Sequence, residues 1–148
     1  MVLDIGCPRS MVGNNWLKKY IEKHDLVMED LEERKCSQKF IFGPSKIYPS
    51  YTKLKLPIAV KELGNDNLIK KNIDVFVIEA DNAINIPLLC GKNTMQLWET
   101  DLSLRPTETF FKIKGREMEY FETTGKHGSG GGRRGLNNIG TDTGKYIR

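Results

Sequence analysis

Asp4 is the carboxylate of this chain best placed to do chemistry. It follows the apolar Met1-Val2-Leu3 and precedes Ile5-Gly6-Cys7, a pattern that predicts a short buried strand ending in a tight turn with an acid at its tip. Backbone on both sides fixes such an acid, and partial burial or a close charge shifts its pKa toward catalytic use. A second apolar run that ends at a glycine, Ile86-Pro87-Leu88-Leu89-Cys90-Gly91-Lys92-Asn93, has the same character. An isolated aspartate of this kind is also what an ordinary turn looks like, so the weight rests on how the stretches go together.

Taken together they resemble the retropepsin-like aspartic proteases of retroviruses and retrotransposons, the transposon-type members in particular. That family carries an apolar pair and Asp-Thr/Ser-Gly, then well downstream an apolar pair and Gly-Arg/Lys-Asp/Asn. The matching residues are Val2-Leu3-Asp4-Ile5-Gly6 and Leu88-Leu89-Cys90-Gly91-Lys92-Asn93, and Phe40-Ile41-Phe42-Gly43-Pro44-Ser45 followed by Leu54-Lys55-Leu56-Pro57-Ile58 is similar to the flap region. The resemblance spans residues 1 to about 124. It implies a mainly β, retropepsin-like half-barrel with one or two short helices and a flap hairpin, built to dimerise. Asp4 would be the catalytic acid, with Ile5 and Gly6 in its loop. Gly91, Lys92 and Asn93 would form the supporting turn, and Phe42, Gly43 and Pro44 the flap over a polyprotein or extended-peptide substrate. Two carboxylates sharing one proton and one water are the working unit of such an enzyme. A single Asp-x-Gly supplies that unit only when a homodimer brings two copies of Asp4 together. No cofactor or metal is implied.

Two departures from the family pattern open a rival reading. Ile5 stands where the family has a threonine or serine whose hydroxyl hydrogen-bonds across the dimer, a loss of about 1 kcal/mol per bond. Only Met1-Val2-Leu3 precede Asp4, where the family has a further strand and hairpin. The sequence thus reads as a fragment of a longer polyprotein or a truncated reading frame. Both departures suit an inactive relic that serves as a dimerisation or peptide-binding module. Asp142-Thr143-Gly144 is spelled better than the Asp4 motif, but Asn138-Ile139-Gly140-Thr141 before it supplies no apolar strand.

Composition narrows the setting. The chain has 148 residues, 39% apolar and 28% charged, as expected of one globular domain. No apolar run approaches the ~20 residues of a membrane-spanning helix, and no signal-peptide pattern opens the sequence. Cys7, Cys36 and Cys90 are odd in number and unpaired in spacing, which favours reduced thiols and a cytoplasmic location. His24 and His127 without a Cys-x-x-Cys make a zinc site improbable. The whole excess of +4 sits in Lys126, Arg133, Arg134, Lys145 and Arg148 against Asp142. A nucleic-acid role would therefore work through residues 125–148, the third reading of the chain.

The elements that must position Asp4 follow from periodicity. Trp16, Leu17, Tyr20 and Ile21 share a helical face after an Asn14 or Asn15 cap, with a break at His24-Asp25 and a second, polar helical turn over 28–35. The alternation over 38–62 predicts a hairpin, with Pro57 marking an edge or a bulge. Residues 73–78 read as a central strand and 84–89 as a second core strand. Asn93 would cap a short helix packed through Met95, Leu97 and Trp98. Strand-like pieces follow at Leu102–Leu104, Thr109–Ile113 and Met118–Phe121, the last a candidate interface strand. From Gly125 the chain turns linker-like, with Gly128-Ser129-Gly130-Gly131-Gly132 and no periodicity. Limited proteolysis is expected to trim the chain near residues 128–134 and leave a resistant core of residues 1–124; equal cleavage throughout the β-region would refute that boundary.

Overall fold

The computed structural model describes residues 1–120, apart from 43, 45, 82, 83, 104, 106 and 109. The flap residue Gly43, the strand ends expected at Leu104, Thr109 and Phe121, the Asp142 motif and the basic tail lie outside the described residues. The described chain is mainly β. Strands β1 (Val2–Leu3) and β2 (Met11–Gly13) lead into helix α1 (Asn14–Lys23) and a 3-10 turn at Met28–Asp30. Strands β3 (Glu33–Phe42), β4 (Lys46–Lys61), β5 (Leu68–Ile78) and β6 (Leu89–Cys90) follow, then helix α2 (Lys92–Leu97) and strands β7 (Thr100–Asp101), β8 (Phe110–Ile113) and β9 (Arg116–Glu119). They form two open sheets, a six-stranded one in the order β1-β6-β2-β5-β4-β3 and a three-stranded one in the order β7-β8-β9.

Leu54, Leu56, Ile58 and Val60 of β4 and Ile73, Val75 and Val77 of β5 alternate onto one face and are buried there with Leu3, Val12, Leu17, Met95, Phe111 and Met118. That face is the main core, covered by α1, α2 and the smaller sheet. Trp16 and Tyr20 stack with ring centroids 5.1 Å apart, as positions four apart on a helix do. The Tyr20 hydroxyl donates to Pro57 O at 2.9 Å. The proline itself is tolerated in so long a strand because its missing N–H faces no partner strand. β3 pairs with β4 only as far as Leu54, so Pro57 lies where β4 has an open side, and its carbonyl finds a partner on α1. The turn between β8 and β9 places Lys114 at φ 50 and Gly115 at φ 77. Two consecutive positive φ values are what a two-residue hairpin matched to strand twist demands.

Several expectations need correction. The polar stretch 28–35 is one 3-10 turn followed by strand, because Glu33 to Lys35 pair with Leu54 to Thr52 and extend the hairpin. The helix cap is Gly13, without a side-chain bond; the Asn15 amide donates instead to Asp81 O and Ile84 O at 2.8 and 2.9 Å and tethers that loop. The second core strand shrinks to Leu89–Cys90, since Pro87 has no N–H to give a ladder. Strand β7 lies at 100–101, before the expected Leu102. Leu97 is 76% exposed rather than packed.

The two sheets meet at Glu62. The guanidinium of Arg116 donates to both its carboxylate oxygens, at 3.1 and 2.8 Å, and Leu63 N–H donates to Glu117 O at 2.9 Å. The Arg116 hydrogen bond holds the Glu62 carboxyl below the ordinary 4.5. A depressed folded pKa means stability that is present above about 4.5 and lost as pH falls through the folded value. The stability advantage of the native chain over Arg116→Gln is therefore expected at neutral pH and should vanish in acid, read as urea midpoints across pH. Leu56→Ala, at a fully buried position, should cost about 2–5 kcal/mol in the same assay.

Candidate functional site

Asp4 comes directly after β1 and is buried, with 4% of its surface exposed. Its position is fixed by a strand from the far end of the fold. β6 lies between β1 and β2, parallel to β1 with Val2 opposite Leu89 and Leu3 opposite Cys90, and antiparallel to β2 through Met11 and Leu89. Asp4 N–H continues that ladder by donating to Cys90 O at 3.0 Å. The loop then closes on itself: Cys7 N–H donates to Asp4 O at 3.1 Å, and Gly6 N–H donates to Asp4 Oδ1 at 3.0 Å.

The second predicted turn is clamped onto the first loop. Lys92 N–H donates to Cys7 O at 2.8 Å and Asn93 N–H to Pro8 O at 3.1 Å. In return, Ser10 N–H donates to Asn93 Oδ1 at 3.1 Å, so the Asn93 side chain serves the loop, and the cap of α2 is Gly91. Gly91 N–H donates to the Ser10 hydroxyl at 2.9 Å, which also meets the Thr94 hydroxyl. Sequence reasoning missed Ser10 and Thr94. Both are buried, and their only signal is a small polar residue next to each motif. Gly91 has a steric reason to be glycine. A Cβ there would lie 2.4 Å from Arg9 C and 2.6 Å from Arg9 O, backbone atoms that cannot yield cheaply.

Burial sets the charge state of two neighbours. It pushes the Cys90 thiol up to about 12 and the Met1 amino group down to about 5, so at neutral pH both are uncharged. Cys90 therefore has no nucleophilic thiolate to offer. Cys7 is half-buried, and none of the three cysteines, all among the described residues, is in a disulfide. Among the described residues no three His, Cys, Asp or Glu side chains converge on a metal position, and no helix is long and apolar enough to cross a membrane.

The remaining predicted site residues split between two places. Ile5 is 46% exposed and lines an open cleft of about 830 Å³ with Lys92, Met95, Gln96, Thr100 and Lys114. Phe42 ends β3 and packs edge-on to Tyr48, centroids 5.5 Å apart; Pro44 is exposed in the turn of the hairpin. The bonds to Gly91, Lys92 and Asn93 thus come from Cys7, Pro8 and Ser10, while Asp4 itself meets that segment at Cys90 O and Ile5 shares the cleft with Lys92. The structure joins the hairpin to that loop through Cys7, which belongs to the same apolar cluster as Phe40, Phe42 and Tyr48. Comparison with protein families, with curated proteins and with solved structures finds no match to this chain.

The geometry makes two checkable statements. Gly91→Ala should lower the unfolding midpoint far more than the exposed Gly64→Ala control is lowered by its own positive φ, because the first clash is with backbone in the clamp itself. Cys90 should resist iodoacetamide at pH 8.5 in the folded chain while Cys7 and Cys36 are alkylated; rapid native labelling of all three would contradict the burial.

Proposed function

We propose that the chain is an aspartic endopeptidase of retropepsin type that acts as a homodimer on polyproteins or extended peptides. The observation that carries this reading is the threading of β6 between β1 and β2, which holds a buried aspartate at a clamped loop beside a long hairpin. Two such loops facing each other across a two-fold axis bring the Asp4 carboxylates together around one water. The ionised carboxylate takes a proton from that water as its oxygen attacks the scissile carbonyl carbon. The protonated carboxylate gives its proton to the carbonyl oxygen. Collapse of the tetrahedral intermediate returns a proton to the leaving nitrogen, and the pair titrates as one unit. The hairpin β3–β4 takes the part of a flap, with Phe42 and Pro44 near its tip, and the peptide lies beneath it as an added strand. In the dimer the exposed Ile5 meets its counterpart. Residues 1–124 constitute the protease domain on this reading.

One observation favours a second reading. Ile5 offers no hydroxyl, so a dimer of these loops lacks the hydrogen bonds that align its carboxylates. The chain would then be an inert relic that binds peptides. Activity separates the two. Asp4→Asn should abolish cleavage while leaving the circular dichroism unchanged, since an amide oxygen still accepts the Gly6 N–H. Asp142→Asn should change nothing. Ile5→Thr should raise the rate, by up to on the order of a hundredfold, because misplacement near 1 Å costs about that much. Specific activity should fall on dilution as dimers part. A folded, dimeric chain that is inert both as it stands and after Ile5→Thr defeats the protease reading and leaves the peptide-binding one.

A further inference from the structure

The larger sheet has a second face, and it is not closed. Met11, Phe76 and Ile78 are buried there, but Cys7, Phe40, Phe42 and Tyr48 around them are only half-covered. Phe76 is the centre of this patch, its ring tilted against that of Phe40 with centroids 5.2 Å apart. Two cations converge on it. The Arg9 guanidinium carbon lies 5.6 Å from the ring centroid and the Lys53 ammonium 5.2 Å from it. The aromatic ring attracts each of them, yet it does not neutralise either. The ion pairs of the described residues engage Arg34, Lys55, Lys61, Arg105 and Arg116 and leave Arg9 and Lys53 out. Two positive charges are thus each held within 6 Å of the centre of one ring in an apolar patch. Arg9 belongs to the clamped loop that starts at Asp4, next to Ser10, whose N–H is fixed by Asn93. Its backbone is therefore held in register with the candidate catalytic acid.

We propose that Arg9 and Lys53 form an acid-reading subsite, so that this chain takes extended peptides in which a Glu or Asp adjoins an aromatic or aliphatic residue. The inference rests on the protease reading above and names its substrate class. The apolar neighbour of the acid covers Cys7, Phe40, Phe42 and Tyr48, while the carboxylate pairs with the cations beside Phe76; the guanidinium is suited to bidentate contact. A peptide is the occupant because the patch runs through Phe40, Phe42 and Tyr48 into the β3–β4 hairpin, where the protease reading lays the substrate strand; a nucleic acid, which would set phosphates on the cations and bases on the rings, is an outcome of the test.

The test uses three labelled extended peptides that differ only in Phe-Glu, Phe-Gln or Phe-Lys at one position, with binding read by fluorescence anisotropy on the Asp4→Asn chain. The Glu peptide should bind about tenfold more tightly than the Gln peptide at low salt, and the advantage should shrink as salt screens it. Arg9→Gln with Lys53→Gln should level the three peptides, and Arg9→Glu with Lys53→Glu should invert the order in favour of Lys. Lys112→Gln, on the small sheet, should leave the order unchanged. The ratio of kcat/KM values for the same peptides on the native chain is the second readout. Equal affinities and equal kcat/KM for the Glu and Gln peptides overturn this inference and leave the protease reading standing. Displacement of the Glu peptide by a uridine oligonucleotide, with no preference among the peptides themselves, overturns it in favour of a phosphate site. Absence of binding and of cleavage for every peptide defeats the protease reading as well.

Discussion

The clamp between the loop after β1 and the turn before α2 is the constraint on which the rest of the molecule depends. Five backbone and side-chain bonds join residues 7–10 to residues 91–93, at 2.8 to 3.4 Å. Each is worth about 1 kcal/mol net, but breaking one leaves a buried donor or acceptor unpaired at about 1–3 kcal/mol. Asp4 is held between this clamp and the β6 ladder. Remove the clamp and β6 loses its place between β1 and β2. The aspartate would then be an acid in an ordinary turn.

That constraint spans more than eighty residues of sequence, and what fills the interval makes it affordable. The strands β3, β4 and β5 form a continuous antiparallel meander, with β4 and β5 paired from Thr52 opposite Val77 to Lys61 opposite Leu68. The meander brings residue 78 back beside residue 13, since Gly13 pairs with Ile78. Once it has formed, the loop left to close is short. The entropy of closure rises only slowly with length in any case. The sheet thus does two jobs with two faces: one is the buried core under α1 and α2, the other is the half-open patch around Phe76.

The legible part of this fold was its local part. Alternation identified the β3–β4 hairpin, a run apolar on both faces identified residues 73–78 of β5, and the i, i+4 spacing of Trp16 and Tyr20 identified α1, because those signals come from residues within one element. The apolar-glycine pattern located the two loops that the clamp joins. What stayed hidden was who touches whom. Ser10 and Thr94 are unremarkable until they are seen 84 residues apart and in contact, and nothing in the sequence sets Arg9 and Lys53 against Phe76. Asn93 was read as a helix cap because helical context is local. The unpaired Ser10 N–H, invisible in sequence, claims that side chain instead. Residues 28–35 looked helical for the same reason, and pairing with β4 overrode the preference.

Ile5 shows how such a loop could lose chemistry before it loses association. In the proposed dimer a threonine there contributes a directional bond worth about 1 kcal/mol. Isoleucine contributes none, but roughly half of its side chain is exposed at 46%. Fully burying an isoleucine is worth about 1.5–3 kcal/mol, so covering the remainder returns on the order of 1 kcal/mol. The two terms are of equal size and opposite kind. Apolar burial has no preferred direction, so it holds two loops together without saying at what angle. A hydrogen bond specifies the angle. On the protease reading, isoleucine in place of threonine would leave the free energy of pairing nearly unchanged and remove its geometry, and in a site made of two carboxylates and one water the geometry would set the rate.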